Sequence, residues 1–258
     1  MLKQKFAKYQ FPVGTWISIG HPVVAEICAG LGFDFVMIDT EHSPTNFETV
    51  THMARAVEAA PGSTETVIRV AENDPVVLKK ALDAGVAGVM VPRIQNEDDV
   101  RAMMESVRYP PDGFRGIGTS RATMYESELV ETVRDANDSI TIIAQIESES
   151  GVQNLDEIMR AGGFDAVFIG SVDLAGSLNE FPGACSEKVE AAMDQIVNEV
   201  QSADIPVGVL ERNSESFSPS MYEMYDFAIL GKDTNHLISS GREVIDKYNE
   251  IAGERPYV

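Results

Sequence analysis

The stretch TVIRVAENDPVVLKKALDAGVAGVMVP, residues 66–92, decides the fold. Apolar runs at Thr66–Val70 and Gly88–Pro92 flank a helical pattern that opens at Asp74-Pro75, a capping residue followed by a proline suited to a first helical position. An apolar stripe follows, and Gly85 ends it. The two runs do not alternate with polar residues, which is typical of parallel strands buried on both faces. The stretch therefore predicts a strand–helix–strand unit.

The same alternation of apolar run and helical pattern extends along the whole chain. The predicted strands are Thr15–Ile19, Phe35–Asp39, Thr66–Val70, Gly88–Pro92, Thr141–Ile146, Ala166–Ile169, Pro206–Leu210 and Phe227–Leu230. Eight repeats in 258 residues favour a closed (β/α)₈ barrel, the TIM-barrel fold, which needs ~250 residues. An open nucleotide-binding sheet is disfavoured because the first turn, Gly20-His21-Pro22, has no GxGxxG pattern. We expect one domain over residues 1–258.

Other local signals are consistent with this reading. Asn96 and Ser186 are predicted to cap further helices. Cys28 lies in an apolar helical stretch and is predicted to belong to the core, and neither Cys28 nor Cys185 is part of a CxxC pair. The longest irregular segment, Tyr109–Met124, is either a functional loop or a connection that carries a short extra helix.

Composition and charge limit the partners. The formal net charge is −21, from 41 acidic and 20 basic residues, which argues against nucleic acid and anionic membranes as partners. The acidic excess fits either a solvated surface or adaptation to high salt. The N-terminal lysines are not followed by an apolar run, and no segment is apolar enough to span a membrane. We therefore expect a soluble, cytoplasmic protein.

Polar side chains follow several of the predicted strands directly. Asp39-Thr40-Glu41-His42 ends the second strand, Arg69 the third, Gln145-Ile146-Glu147 the fifth, and Gly170–Asp173 the sixth. In a barrel of this type the active site lies where the strands end. We therefore expect these four segments to form one site.

Glu147 and Asp173 are the candidate metal ligands. They follow adjacent strands, so their carboxylates are expected to lie close together, where like charges repel. A hard divalent cation such as Mg²⁺ or Mn²⁺ prefers oxygen ligands and would remove this repulsion. Each carboxylate alone could instead cap the following helix or pair with an arginine.

The remaining polar residues have more than one interpretation. Arg69 is suited to binding a carboxylate or a developing enolate oxygen, or it forms a structural salt bridge. His42 is a candidate acid–base group whose tautomer Asp39 would fix, or it is an ordinary loop histidine. Glu41 either supports the metal site or is solvated. Backbone amides of Gly170, Ser171, Val172 and Asp173 could bind a carboxylate.

The chain resembles the HpcH/HpaI aldolase family. The resemblance covers about three quarters of the chain and rests on DTEH (39–42), Arg69-Val70, LDAGVAGVMVPRI (82–94), RYPPDGFRGIG (108–118), QIES (145–148) and FIGSVDLAGSL (168–178). It implies a barrel of the phosphoenolpyruvate/pyruvate-binding type. It also implies a class II aldolase that uses Mg²⁺, Mn²⁺ or Co²⁺ to cleave a 4-hydroxy-2-oxo acid to pyruvate, or a related 2-oxo acid, and an aldehyde.

The resemblance also implies roles for single residues. Glu147 and Asp173 would bind the metal, Arg69 would stabilise the enolate, and His42, supported by Asp39, would move the proton of the 4-hydroxyl. Gln145 would orient the substrate, and the amides of Gly170–Asp173 would hold its carboxylate. The family forms hexamers, so Asp83 would reach a neighbouring subunit's site. Ser171 replaces a proline that many relatives have, and the chain after Asn179 resembles the family less.

Three alternative functions remain open. The same site could mainly decarboxylate oxaloacetate, which gives the same pyruvate enolate. Lys232, which follows the eighth predicted strand, could be the nucleophile of a Schiff-base aldolase. The barrel could also be a binding protein without catalytic activity, although the presence of all five candidate residues argues against this. These are Asp39, His42, Arg69, Glu147 and Asp173.

Overall fold

Each predicted apolar run forms a strand, and the eight strands close into a parallel barrel in sequence order, with β8 paired to β1. The computed structural model describes residues 1–182, 186–212 and 218–252. The strands are β1 (Val13–Ile17), β2 (Phe35–Asp39), β3 (Glu65–Arg69), β4 (Gly88–Val91), β5 (Thr141–Ile146), β6 (Ala166–Ile169), β7 (Val207–Glu211) and β8 (Phe227–Lys232). The predicted (β/α)₈ barrel is confirmed.

Helices connect consecutive strands on the outside of the barrel, except that α1 precedes β1 and α12 follows β8. They are α1 (Leu2–Ala7), α2 (Pro22–Ala29), α3 (Phe47–Ala59), α4 (Pro75–Asp83), α5 (Glu97–Val107), α6 (Leu129–Ser139), α7 (Glu149–Gln153), α8 (Leu155–Ala161), α9 (Ser171–Ser177), α10 (Glu187–Ser202), α11 (Pro219–Met224) and α12 (Asp233–Ala252). The predicted caps are confirmed: the side chains of Asp74, Asn96 and Ser186 accept hydrogen bonds from the first turns of α4, α5 and α10.

The bounds of five strands, β1, β3, β4, β7 and β8, differ from the prediction by one or two residues, and the larger differences are in β1 and β8. β1 ends at Ile17 rather than Ile19, because the amides of Ser18 and Ile19 donate to the carboxylate of Asp233 instead of to a neighbouring strand. β8 extends past Leu230 to Lys232, and an irregularity in its pairing with β1 allows this.

The apolar side chains form two separate cores. The inner core fills the barrel and includes Trp16, Phe35, Met37, Phe168 and Phe227. The outer core lies between the strands and the helices. This division follows from the strand pleat, which points successive side chains to opposite faces of the sheet.

Helix α1 closes the end of the barrel at which the strands begin, here named the floor. Its residues Leu2 and Phe6 are buried in the inner core, and the Phe6 ring packs edge-on against Phe227 at 4.9 Å. Lys3 pairs with Asp165 at 3.2 Å, and Lys5 pairs with Asp34. The opposite end, where the strands end, is named the mouth.

The other sequence predictions are placed as follows. Cys28 is buried as predicted, whereas Cys185 lies outside the described residues. The segment Tyr109–Met124 is irregular up to a short 3-10 helix at Arg121–Glu126, so the extra helix is confirmed and a function for the loop stays a prediction. Within the described ranges, no helix has the length and apolar character that crossing a membrane requires.

Candidate active site

The mouth brings together the polar residues that follow four strands. Asp39 and Arg69 are register partners at the ends of β2 and β3. Gln145 lies in β5 and Glu147 directly follows that strand, while Gly170 directly follows β6. Because β5 and β6 pair in parallel, their carboxyl ends lie side by side.

Asp39 and Arg69 form a buried bidentate ion pair. Arg69 donates from Nε to Asp39 Oδ1 at 3.0 Å and from Nη2 to Oδ2 at 2.8 Å. Burial raises the pKa of Asp39, but the hydrogen bonds and the charge of Arg69 outweigh this effect. The net pKa therefore lies below its ordinary value, and the carboxyl is ionised. The guanidinium also lies 4.5 Å from the centre of the Trp16 ring. Arg69 is therefore a fixed cation in a defined orientation.

The third guanidinium nitrogen of Arg69 faces the loop after β2. Its Nη1 lies 3.0 Å from Oε2 of Glu41. Burial raises the pKa of Glu41, Asp39 and Asp173 raise it further, and the charges of Arg69 and His42 oppose this rise. Glu41, which the sequence left without a definite role, thus bridges the arginine and the other acids.

His42 has a different neighbour from the one predicted. The Asp39 carboxylate accepts a hydrogen bond from the His42 backbone amide at 3.3 Å, and Arg69 occupies both of its oxygens. The nearest acid to the imidazole is Glu41, with 3.8 Å between Nε2 and Oε2. The prediction that Asp39 holds the imidazole tautomer is therefore corrected: Asp39 positions Arg69 and the His42 backbone. The His42 side chain is 61% exposed, so it is open to a ligand.

Glu147 is a buried carboxyl with an elevated proton affinity. Burial, followed by the charges of Glu41 and Asp173, raises its pKa to about 7. The backbone amide of Arg93 donates to Oε1 at 2.9 Å, and the amide group of Gln145 donates to Oε2. Arg93 has a positive φ of 58°, unusual for a residue with a side chain, so its backbone is strained where it contacts Glu147.

Gly170 allows β6 to approach these two side chains. A Cβ atom at position 170 would lie 2.6 Å from Cβ of Glu147 and 2.9 Å from Nε2 of Gln145, so any side chain would collide. Helix α9 starts at the next residue, and no side chain caps it. The amides of residues 171–173 in its first turn thus lack helical acceptors at the mouth. Asp173 is exposed in this same turn.

The donor set fits a hard divalent cation. The charges of Glu41 and Asp173 raise the pKa of Glu147, and the charge of Asp173 also raises the pKa of Glu41, so negative charge is concentrated here. Oε1 of Gln145 is buried and has no hydrogen-bond partner. Across the described ranges, no group of three or more His, Cys, Asp or Glu side chains is arranged to hold a metal. Glu147 and Asp173 would therefore supply only part of a coordination shell, leaving positions for substrate and water.

Two other predicted residues lie apart from this cluster. Asp83 ends α4, and an outer helix of the barrel ends near the floor, so Asp83 is not brought to the mouth of its own barrel. It accepts a hydrogen bond at 3.0 Å from Arg115, a buried side chain stacked on Tyr109. Lys232 does lie at the mouth, with Nζ 6.0 Å from the centre of the Trp16 ring.

The sequence did not single out three residues at the mouth. Trp16 contacts Arg69, but within an apolar strand it was indistinguishable from ordinary core. Arg93 contributes its backbone amide, and a backbone role leaves no signal in residue type. Asp233 was also missed, although a buried aspartate directly after a strand is a signal that a search for loop caps would find.

Comparison with known protein families gives a match over most of the chain. The family model for HpcH/HpaI aldolase/citrate lyase matches residues 13–240. A 4-hydroxy-2-oxo-heptane-1,7-dioate aldolase of Shigella sonnei is 32% identical over 242 residues, covering 93% of this chain and 91% of that protein. The protein of the same name from Salmonella arizonae is 34% identical over 236 residues, covering 90% and 88%.

A solved structure gives the same result in three dimensions. A family protein from Burkholderia cenocepacia superimposes with a TM-score of 0.92 at 30% identity, covering 96% of this chain and 98% of that one. The expectation of an enzyme of the aldolase type is thereby confirmed at the level of the family. This chain belongs to the HpcH/HpaI aldolase/citrate lyase family.

Proposed function

We propose that this protein is a divalent-metal-dependent class II aldolase. Its substrate would be a 4-hydroxy-2-oxo acid, which it cleaves reversibly to pyruvate or a related 2-oxo acid and an aldehyde. One observation carries the proposal: a fixed cation, Arg69, lies 3.0 Å from Glu41, and burial together with nearby negative charge raises the pKa of both Glu41 and Glu147. The relatives named above act on such a dioate, which supports this substrate class.

Glu147 and Asp173 would hold Mg²⁺, Mn²⁺ or Co²⁺. The bound cation would supply a Lewis acid to the keto and carboxylate oxygens of the 2-oxo acid. The unpartnered oxygen of Gln145 lies next to Glu147 and would orient a donor of the substrate or a water. The amides of Ser171, Val172 and Asp173 would bind the substrate carboxylate, whereas the predicted amide of Gly170 donates to the carbonyl oxygen of Ile146 at 3.0 Å and is already occupied.

The protein's own groups account for the movement of charge in cleavage. The bond between carbons 3 and 4 breaks, its electron pair enters the enolate of the 2-oxo acid, and the 4-hydroxyl loses its proton as the aldehyde forms. Arg69 would stabilise the enolate oxygen, since Asp39 keeps its donors in place. His42, next to Glu41, would accept and return the proton.

We further propose that the chain is one domain that acts as a homo-oligomer, a hexamer by family resemblance. Apolar side chains on α2 and α12 support association, because both helices present large hydrophobics to solvent. These include Val23 and Ile27 of α2 and Leu237, Val244 and Ile251 of α12, and Leu31, just after α2, is exposed as well. Asp83, distant from its own mouth, would then contribute to a neighbouring subunit's site. The protein is also predicted to have no nucleic-acid or membrane partner and to be cytoplasmic, and these points stay predictions.

The test is pyruvate formation from a 4-hydroxy-2-oxo acid by protein stripped with EDTA. Activity is expected to return with Mn²⁺ or Mg²⁺ in the wild type and to stay at least ~100-fold lower in Glu147→Gln, a variant of the same size that lacks the charge. A surface variant, Glu131→Gln, is the matched control. Metal-independent cleavage, or full activity of Glu147→Gln, would contradict the proposal.

Assays on the same EDTA-stripped protein distinguish the proposed aldolase from two alternative functions. Oxaloacetate decarboxylation would use the same residues, so turnover on oxaloacetate and on the 4-hydroxy-2-oxo acid must be compared directly. A Schiff-base mechanism is the second candidate because Lys232 lies at the mouth. It requires that borohydride trap a pyruvate adduct on the wild type and not on Lys232→Met. If neither metal nor a 2-oxo acid binds, the protein is a non-catalytic barrel.

A further inference from the structure

A local irregularity in β8 changes which residue faces the inside of the barrel. Gly14 of β1 pairs with Ile229, and Trp16 pairs with Lys232, so β8 uses one residue more than β1 over this interval. This extra residue is a β-bulge. Gly231 lies within it with a φ of +69°, and a Cβ there would be 2.5 Å from the His236 ring. The bulge therefore requires glycine at position 231.

The bulge turns Lys232 toward the inside of the mouth. Phe227 and Ile229 of β8 belong to the inner core, so strict alternation would place residue 231 inside and residue 232 outside. Instead Lys232 is level with Trp16, and its ammonium nitrogen lies 6.0 Å from the centre of that ring. β-bulges next to functional sites commonly re-aim a side chain in this way.

Lys232 has no anionic partner within the described part of the chain. Its ammonium group lies over the Trp16 ring. The adjacent carboxylate, Asp233, accepts hydrogen bonds from the amides of Ser18, Ile19 and Thr234 and is thus already occupied. The side chain of Lys232 is partly buried. A partly buried cation that lacks a counter-charge is suited to bind an anionic ligand.

The position of Lys232 relative to the other site residues defines which part of a substrate it would meet. Arg69 lies 4.5 Å from the same Trp16 ring, so Nζ of Lys232 and Cζ of Arg69 are at most 10.5 Å apart, the sum of the two distances. Glu147 follows β5, across the closed barrel from β8 and β1. A substrate held at its 2-oxo acid end near β5 and β6 would extend its other end toward Lys232.

We propose that Lys232 determines specificity by binding an anionic group, a carboxylate or a phosphate, on the aldehyde portion of the substrate. The inference rests on the proposed aldolase function and adds the class of aldehyde. Trp16 and Leu210, which packs against the inner core from β7, supply the apolar side of this subsite. The negatively charged end of the aldehyde meets the ammonium group at the edge of the mouth.

The test is the aldol reaction of pyruvate with paired aldehydes in the presence of Mn²⁺. Succinic semialdehyde is compared with butanal, and glyceraldehyde 3-phosphate with glyceraldehyde. The wild type should favour the anionic member of one pair by about tenfold or more in kcat/KM, and that pair identifies carboxylate or phosphate. Lys232→Met should reduce this ratio about tenfold through KM, and Lys232→Arg should restore most of it. Lys8→Met, an exposed lysine at the floor, is the matched control.

If the protein catalyses the aldol reaction, either of two outcomes would overturn the inference about Lys232. The wild type could show no preference in either pair, or Lys232→Met could lower turnover of both members equally. An equal loss together with borohydride trapping of pyruvate on the wild type would identify Lys232 as a Schiff-base nucleophile instead.

A binding measurement separates failure of this inference from failure of the proposed function. Trp16 is the single tryptophan of the chain, so its fluorescence reports on this subsite. Even if no aldehyde reacts, glutarate should bind the wild type about tenfold more tightly than pentanoate, and Lys232→Met should remove the difference. Equal affinities in the wild type would overturn the inference independently of catalysis.

Discussion

The two ends of the barrel use charged residues in opposite ways. At the floor each of the lysines Lys3 and Lys5 of α1 pairs with an aspartate, and the apolar residues of the helix fill the inner core. At the mouth Glu41 and Asp173 lie close enough to Glu147 to raise its pKa, and Lys232 lacks a counter-charge within the described ranges. The floor thus satisfies its charges internally, whereas the mouth leaves charge for a ligand.

The comparison predicts that the floor can be weakened without loss of chemistry. Phe6 is 1% exposed and packs on Phe227. Phe6→Ala should lower the free energy of unfolding by about 3–5 kcal/mol, because it leaves a cavity in the inner core. Urea unfolding measures this, with Lys8→Met as a control. The folded variant should retain kcat/KM for its 4-hydroxy-2-oxo acid within about threefold. A much larger loss would mean that the floor controls the mouth.

The mouth should respond in the opposite way. Arg69→Lys keeps a cation beside Asp39 but loses the fork of donors that contacts Asp39 and Glu41. We expect kcat for cleavage to fall by about 10²–10³-fold, because the charge opposite the enolate is no longer held in place. Steady-state kinetics at saturating Mn²⁺ measures this. A loss smaller than tenfold would show that Arg69 is only a structural ion pair.

The elevated pKa of Glu147 should make the metal-free protein less stable as the pH rises. The folded-state pKa is about 7 against an ordinary value of 4.5, so the folded protein holds an additional proton between these values. The free energy of unfolding in EDTA should therefore decrease from pH 5 to pH 7, by about 1–3 kcal/mol from this group. Glu147→Gln, measured in parallel, should lack this part of the pH dependence. An unchanged slope in the variant would contradict the assignment.

The smallest effect is expected for a single ion pair at the floor. The Lys5 side chain is 34% exposed where it pairs with Asp34. Lys5→Met should change the free energy of unfolding by about 1 kcal/mol or less, because solvent screens such pairs. Thermal unfolding at low and high salt measures it. A loss comparable to that of Phe6→Ala would show that ion pairs, rather than apolar packing, hold α1 in place.

The sequence predicted the fold and the composition of the mouth because both follow from short-range patterns. Parallel strands must end at the same side of the barrel, so Asp39, Arg69, Glu147 and Gly170 could be grouped before any coordinates were known. The partner of each residue could not be predicted in the same way. Whether Asp39 contacts the imidazole of His42 or the guanidinium of Arg69 depends on the register of β2 and β3, which residue type does not encode.

Lys232 and Arg93 show a second limit of the sequence. A bulge at Gly231 reverses the direction of the next side chain, and glycine at that position is equally consistent with an ordinary turn. Arg93 acts through its amide, in a backbone conformation that its side chain disfavours. In both cases the tertiary contacts, rather than local preference, decide the geometry.

The most direct test of the central claim is calorimetric titration of EDTA-stripped protein with Mn²⁺ at pH 8, with and without pyruvate. The wild type should bind Mn²⁺ at one site per chain, more tightly when pyruvate is present, and more weakly at pH 6, where Glu147 is protonated. Glu147→Gln should lose this site. Equal binding by the wild type and the variant, or no binding by either, would contradict a metal-dependent aldolase site at the mouth.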